Sequence, residues 1–230
     1  MKIYLSPSSQ PANLYSAGNT NEQIQCNRIA EYCKVALERC GFSVKKGPEG
    51  QHYKQNVTES NAWGADIHMP IHTNAGGGRG PRVFVYKSVE ANTKFAAPVL
   101  DALNEIVPVK AKNGLSAQPG LYECNASKGI CVYVEAAFHD NAQEAQWIIN
   151  NVEAIGEAIC KGICSGTGVK YVAPKANGTA STESASGAGA KSLYRVQVGA
   201  FAKKEHATKL QKQLIAAGFP AIIKTEKSEQ

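Results

Sequence analysis

The sequence predicts an α/β protein: a mostly parallel twisted sheet with helices on both faces, followed by a small α+β module of β-α-β type. Three observations carry this. Strand and helix patterns alternate through residues 1–168, the order that sets parallel strands side by side under crossing helices. Ile130 to Val134 is apolar at every position and rich in β-branched residues, as in a strand covered on both faces. Residues 173–192, APKANGTASTESASGAGAKS, have no large apolar side chain. Such a stretch can bury nothing and reads as a flexible linker. The expected organisation is therefore a domain at 1–168, a linker at 169–191 and a small module at 192–230, within what a 230-residue chain can support.

The first strand is KIYL, residues 2–5, closed by Ser6-Pro7. Thr20 and Gln23 have capping-box spacing, and the helix they open runs to Cys40, with Gly41 as its stop. A second strand starts at Val44, a third spans 66–72, and VFVYK (83–87) is a fourth. Helical patterns at about 92–107 and 142–164 flank a strand ending at Glu135. In the C-terminal part, LYRVQVGAF alternates as a half-buried strand does. A helix at about 203–217 carries Ala207, Leu210, Leu214 and Ala217 on one face and stops at Gly218, and Ala221 to Lys224 is a further strand.

Charge divides along the chain. Residues 1–168 hold 15 basic and 15 acidic side chains, whereas 169–230 hold 10 and 4, so the formal +6 belongs to the C-terminal part. That balance suits an anionic polymer such as a cell wall, a nucleic acid or a membrane surface. No apolar run approaches the roughly 18 residues of a membrane span. The seven cysteines, Cys26, Cys33, Cys40, Cys124, Cys131, Cys160 and Cys164, are odd in number and include no Cys-x-x-Cys pair. This argues against a zinc ribbon and a complete disulfide framework. Most read as small core hydrophobes folded in a reducing compartment.

Two apolar runs deliver chemistry. ADIHMPIHTNAGGG carries His72 into a glycine turn, and GICVYVEAAFHDN carries Glu135 out of a hydrophobic stretch. Desolvating a carboxylate costs several kcal/mol or more, so Glu135 is expected where its strand emerges, with a partner or water beside it. In open α/β sheets, ligand sites gather at the carboxyl ends of the strands. The pair points to metal-assisted hydrolysis.

In order and spacing these segments resemble the zinc-dependent N-acetylmuramoyl-L-alanine amidases, which cut the bond between the glycan's lactyl group and the peptidoglycan stem peptide. The resemblance covers about residues 1–166. IHTNA is similar to that family's strand ending in His-x-Asn and implies a zinc-ligand role for His72. YVEAAFHDN is similar to its catalytic segment and implies a catalytic carboxylate at Glu135, with Phe138 and Asn141 at the family's spacing. TNEQIQCNRIA resembles its first helix and implies zinc ligation by Glu22. Asn74, with the glycines after it, would shape the substrate rim. The family's first-strand Gly-His-Gly-Gly is replaced by LSPSSQ, which puts Ser9 at the position of the first zinc-binding histidine. A serine hydroxyl is a poor zinc ligand, so the third ligand stays open between His139, a water and Gln10. His68 lies about 13 Å from His72 along the strand.

The C-terminal part resembles the first half of a sporulation-related repeat (SPOR), a glycan-binding β-α-β-β-α-β domain, so the module at 192–230 is expected to be incomplete. Together these resemblances imply peptidoglycan as partner, zinc as cofactor, and no nucleic acid or membrane span. MKIYLSPSSQ has too short an apolar stretch for a secretory signal. The expected setting is therefore synthesis in the cytoplasm and action at the bacterial cell wall after lysis, from a phage-derived gene or a sporulating mother cell, or by another route needing no signal.

Overall fold

The structure, a computed structural model, describes residues 1–174, 198–216 and 221–225. The chain divides into two compact units, Met1–Lys175 and Ala176–Gln230.

The first unit contains β1 (Lys2–Pro7), α1 (Glu22–Arg39), β2 (Ser43–Lys46), α2 (Tyr53–Trp63), β3 (Ile67–Asn74), β4 (Arg82–Val85), α3 (Glu90–Ile106), β5 (Leu115–Ala117), α4 (Tyr122–Ala126), β6 (Ile130–Cys131), β7 (Tyr133–Phe138), α5 (Ala142–Asn150) and α6 (Val152–Thr167). The sheet runs β2-β1-β3-β7-β4-β5, with β6 also paired to β3. Every pairing is parallel except β4 with β7. This is the mostly parallel sheet the sequence predicts.

Side chains alternate across a strand, and that alternation decides where the chemistry sits. Ile3 and Leu5 of β1, Ile67, Met69 and Ile71 of β3, and Val134 and Ala136 of β7 share one core with α1, α3 and α6. Tyr4, Ser6, His68, His72, Tyr133 and Glu135 have the opposite parity and occupy the other face. There α2 meets β1 through polar groups: the Tyr4 hydroxyl donates to Glu59, and Asn56 Nδ2 donates to Ser6 Oγ at 2.9 Å.

Several expectations are corrected. The α1 cap is Asn21, whose Oδ1 accepts from Ile24 N at 3.0 Å, while Thr20 Oγ1 accepts from the Gln25 side chain. The single helix over 142–164 is two helices meeting at Asn151. Helix α2 is unforeseen because two of its three buried residues, Asn56 and Ser60, are polar and leave no apolar stripe to read. Neither His72 nor Glu135 ends its strand, since pairing continues to Asn74 and Phe138.

Helices α3 and α6 approach closely at Gly162, where an added Cβ would lie 2.4 Å from Val99 Cα. Backbone cannot swing aside as a side-chain tip can. Gly162→Ala is expected to destabilise by about 1–3 kcal/mol, lowering the melting temperature by several degrees. An unchanged melt would contradict this packing.

In the second unit, α7 (Lys204–Ala216) forms as expected. Residues 221–225 carry no strand, a correction to the strand expected over Ala221 to Lys224, with no neighbouring strand among the described residues to pair it. The expected linker from residue 175 onward, the strand expected over LYRVQVGAF as far as residue 197 and the stop at Gly218 fall outside the described residues, and residues 198–201, the rest of that expected strand, carry none.

Candidate active site

The site assembles around His72, beside Glu135 across the β3–β7 pair. Helix α1 starts over the end of β3, so Glu22 in its first turn reaches the imidazole: Glu22 Oε1 lies 2.8 Å from His72 Nδ1. Asn13 Nδ2 donates to Glu22 Oε2 at 2.6 Å, and Gln10, in the loop after β1, brings its side-chain amide to 3.3 Å from the same His72 nitrogen. The ring of Tyr133 stacks on His72 with centroids 4.7 Å apart.

The opposite nitrogen, His72 Nε2, faces Glu123 Oε2 at 3.7 Å. Glu123, on α4, also accepts from Ser6 Oγ at 2.5 Å and lies 3.1 Å from His68 Nε2. One carboxylate thus ties together two histidines four residues apart on a single strand face. Sequence reasoning missed Glu123, which sits in a five-residue helix without periodicity. The available signal was His68 and His72 themselves, two same-face imidazoles in a buried strand that need polar partners.

Burial alone would discourage charge here, yet the groups hold one another ionised. Desolvation works against the His72 cation, but the bonds from Glu123 and Glu22 and the nearby Glu135 charge raise its pKa to about 10. Glu123 is lowered to about 2 because His68 and His72 outweigh its burial. Glu22 is lowered in the same way, against its burial, by His72, Asn13 and Ser8. Glu135 differs: desolvation raises it to about 7, His72 offsetting part of this and Glu22 adding to it. Its Oε2 is cut off from solvent and has no hydrogen-bond partner.

Glu123→Ala would leave His68 and Ser6 buried without their acceptor. A loss of about 3–5 kcal/mol is expected, and urea unfolding of the parent and variant measures it. Because Glu123 is depressed on folding, its contribution is present above its ordinary pKa and disappears as pH falls toward about 2. Equal midpoints for parent and variant at neutral pH would contradict the assignment.

The donor chemistry fits a divalent cation. Three carboxylates, Glu22, Glu123 and Glu135, surround one imidazole in a poorly solvated space, and one carboxylate oxygen is orphaned. Of the predicted residues, the structure brings Glu22, His72 and Glu135 together. Asn74 closes β3 two residues after His72, its Oδ1 accepting from Ala75 N at 2.8 Å. The adjoining glycine turn is fixed by Asp140, whose Oδ2 accepts from Gly76 N and Gly77 N. His139 is turned elsewhere: its Nδ1 donates to Thr73 O at 2.9 Å, and its ring stacks on Tyr15. The neighbour of Ser9 that reaches His72 is Gln10.

Comparison with known proteins places the chain. The sequence pattern of the N-acetylmuramoyl-L-alanine amidase family matches residues 9–165, and that of the SPOR domain matches 175–229. The N-acetylmuramoyl-L-alanine amidase CwlM of Bacillus licheniformis is 29% identical over 170 residues, which are 74% of this chain and 60% of that protein. A sporulation-specific N-acetylmuramoyl-L-alanine amidase of Bacillus subtilis is 24% identical over 230 residues, covering 97% of this chain and 84% of the relative. The chain thus spans less than two thirds of the first relative's length and most of the second's. Among solved structures, the catalytic domain of CwlV from Bacillus (Paenibacillus) polymyxa var. colistinus superposes with a TM-score of 0.66 at 15% identity, over 74% of this chain and 99% of that one. An N-acetylmuramoyl-L-alanine amidase from Clostridium difficile 630 gives 0.65 at 18% identity, over 73% and 96%. These likenesses establish the fold.

Proposed function

The chain belongs to the N-acetylmuramoyl-L-alanine amidase family, and from that premise we propose that it hydrolyses the amide between N-acetylmuramic acid and the L-alanine of the peptidoglycan stem peptide. The observation that carries the mechanism is the buried, unpartnered Glu135 Oε2 beside the Glu22–His72 pair. Glu22 and His72 are the zinc-holding residues in this reading; Gln10 now brings its amide nitrogen to His72 and would serve as a third ligand only with its carbonyl oxygen turned toward the site. Bound there, zinc would supply a Lewis acid and a water of lowered pKa.

The remaining roles belong to the protein. Glu135, unprotonated above about pH 7, takes the proton of the attacking water and returns it to the leaving amine. Glu123 faces His72 Nε2 at 3.7 Å as an ion-pair partner, which leaves Nδ1 facing Glu22. An acceptor on the far nitrogen fixes the tautomer and angle of a ligating histidine. Asn74 and the Asp140-pinned glycine turn border the substrate.

The reading divides the chain into a catalytic domain at 1–168, a linker at 169–191 whose first residues, up to Val172, are held against the end of α1, and a partial SPOR-like peptidoglycan-binding module at 192–230. Tethering to the glycan would raise the local concentration of substrate. Incubating the full chain with purified peptidoglycan and labelling new amino groups tests the proposal. Accumulation of amino-terminal alanine is expected. Sedimentation with peptidoglycan without release of amines would instead identify a non-catalytic wall-binding protein.

A further inference from the structure

Three of the seven cysteines converge. Cys40 caps the C-terminal end of α1, while Cys160 and Cys164, four apart, share a face of α6. Cys160 Sγ lies 3.6 Å from Cys40 Sγ and 4.0 Å from Cys164 Sγ, and all three sulfurs fall within 4.8 Å of one another. The place is remote from His72. Glu22 and Cys40 bracket α1 at opposite ends, about 27 Å apart along the helix.

Core packing accounts for the burial of these thiols but not for their spacing. A tetrahedral ion with metal–sulfur bonds of about 2.3 Å sets its sulfurs about 3.8 Å apart, and the separations of Cys160 from Cys40 and Cys164, 3.6 and 4.0 Å, bracket that figure. Cys124 and Cys131, with sulfurs 3.0 Å apart, are a pair with no third thiol beside them.

The surroundings are organised as well. The segment after α6 folds back over the sulfurs, and Val172 N donates to Cys40 Sγ at 3.3 Å. Arg39 Nε holds Val172 O at 2.8 Å, and Glu157 binds both Arg39 and the Tyr171 hydroxyl at 2.6 Å. A divalent ion on three thiolates leaves one negative charge, and the Arg39 guanidinium stands close enough to favour the Cys164 thiolate. Burial works the other way, pushing the Cys164 thiol to about 11 and Cys160 higher still. Occupation must therefore displace protons.

We propose that Cys40, Cys160 and Cys164 form a second, structural metal site for a thiophilic d10 cation of the zinc class, joining the end of α1 to α6 under the 169–172 segment. The inference is independent of the hydrolytic reading, because none of these three thiols belongs to the His72 cluster, which lies at the other end of α1, and sulfur ligation has its own spectrum.

Titration of the reduced full chain with Co(II) is the test. A thiolate-to-cobalt charge-transfer band is expected in the near ultraviolet, with the intensity of one cobalt per chain at saturation and bleached by Zn(II). It should persist in His72→Ala and in Cys131→Ala, and binding should weaken at least about tenfold in Cys160→Ala and in Cys164→Ala. Cys164→Ala serves if the more central variant does not fold, and the parent titration needs no variant. Absence of the band in the parent overturns the proposal. A band that survives both cysteine variants or vanishes in Cys131→Ala also overturns it.

Discussion

Glu135→Gln is expected to slow stem-peptide release by about 10²–10⁴-fold, the range supplied by a positioned acid–base group. The two side chains have the same shape, so the loss is chemical: the amide cannot accept the water's proton. Neutralising a carboxylate whose Oε2 has no partner should leave the unfolding midpoint unchanged or raised. In the parent, burial raises Glu135 to about 7. The competent form is the carboxylate, so the rate should climb with pH through that region. Initial rates of amine release between pH 5.5 and about 8.5, beside thermal melts, measure both effects. A variant as fast as the parent would remove Glu135 from the chemistry.

His72→Ala should cost more than activity. His72 lies against Glu22 at 2.8 Å and faces Glu123 at 3.7 Å, so alanine leaves the buried Glu22 carboxylate without its cation and leaves Glu123 to His68 and Ser6 alone. A fall of about 3–5 kcal/mol in metal-free stability is expected, together with loss of one equivalent of zinc relative to the parent and of all measurable hydrolysis. Because the folded pKa of His72 is raised to about 10, its stabilisation is present below its ordinary pKa. That stabilisation fades as pH climbs toward 10. The stability gap between the metal-free parent and variant should therefore close over that interval. Unchanged zinc content in His72→Ala would place the metal elsewhere.

The amino-acid pattern reveals the strands better than the site they build. Ile3, Leu5, Ile67, Met69 and Ile71 announce β1 and β3 through their alternation, and the same parity puts His72 and Glu135 on one face. It cannot say what covers that face. Helix α2 presents Asn56 and Ser60 inward and has no apolar stripe, and Glu123 arrives on a helix too short for periodicity. Glu22 is legible as an acidic first-turn residue; its bond to His72 is set by a contact 50 residues away in the chain. Gln10 likewise looks like an ordinary loop residue until β1 and β3 pair and carry it to the imidazole. His139 follows Glu135 closely in sequence, but hydrogen bonds to Thr73 turn it away. The cysteines read correctly as buried core residues, while the meeting of Cys40 with Cys160 depends on α1 packing against α6.

The central claim is that this site cuts one particular bond, and the masses of the products test it most directly. Peptidoglycan digested by the full chain and resolved by mass spectrometry should yield intact stem peptides beginning with free alanine, together with glycan strands stripped of peptide. Stem peptides cut internally, with alanine still attached to muramic acid, would contradict the claim and identify a peptidase.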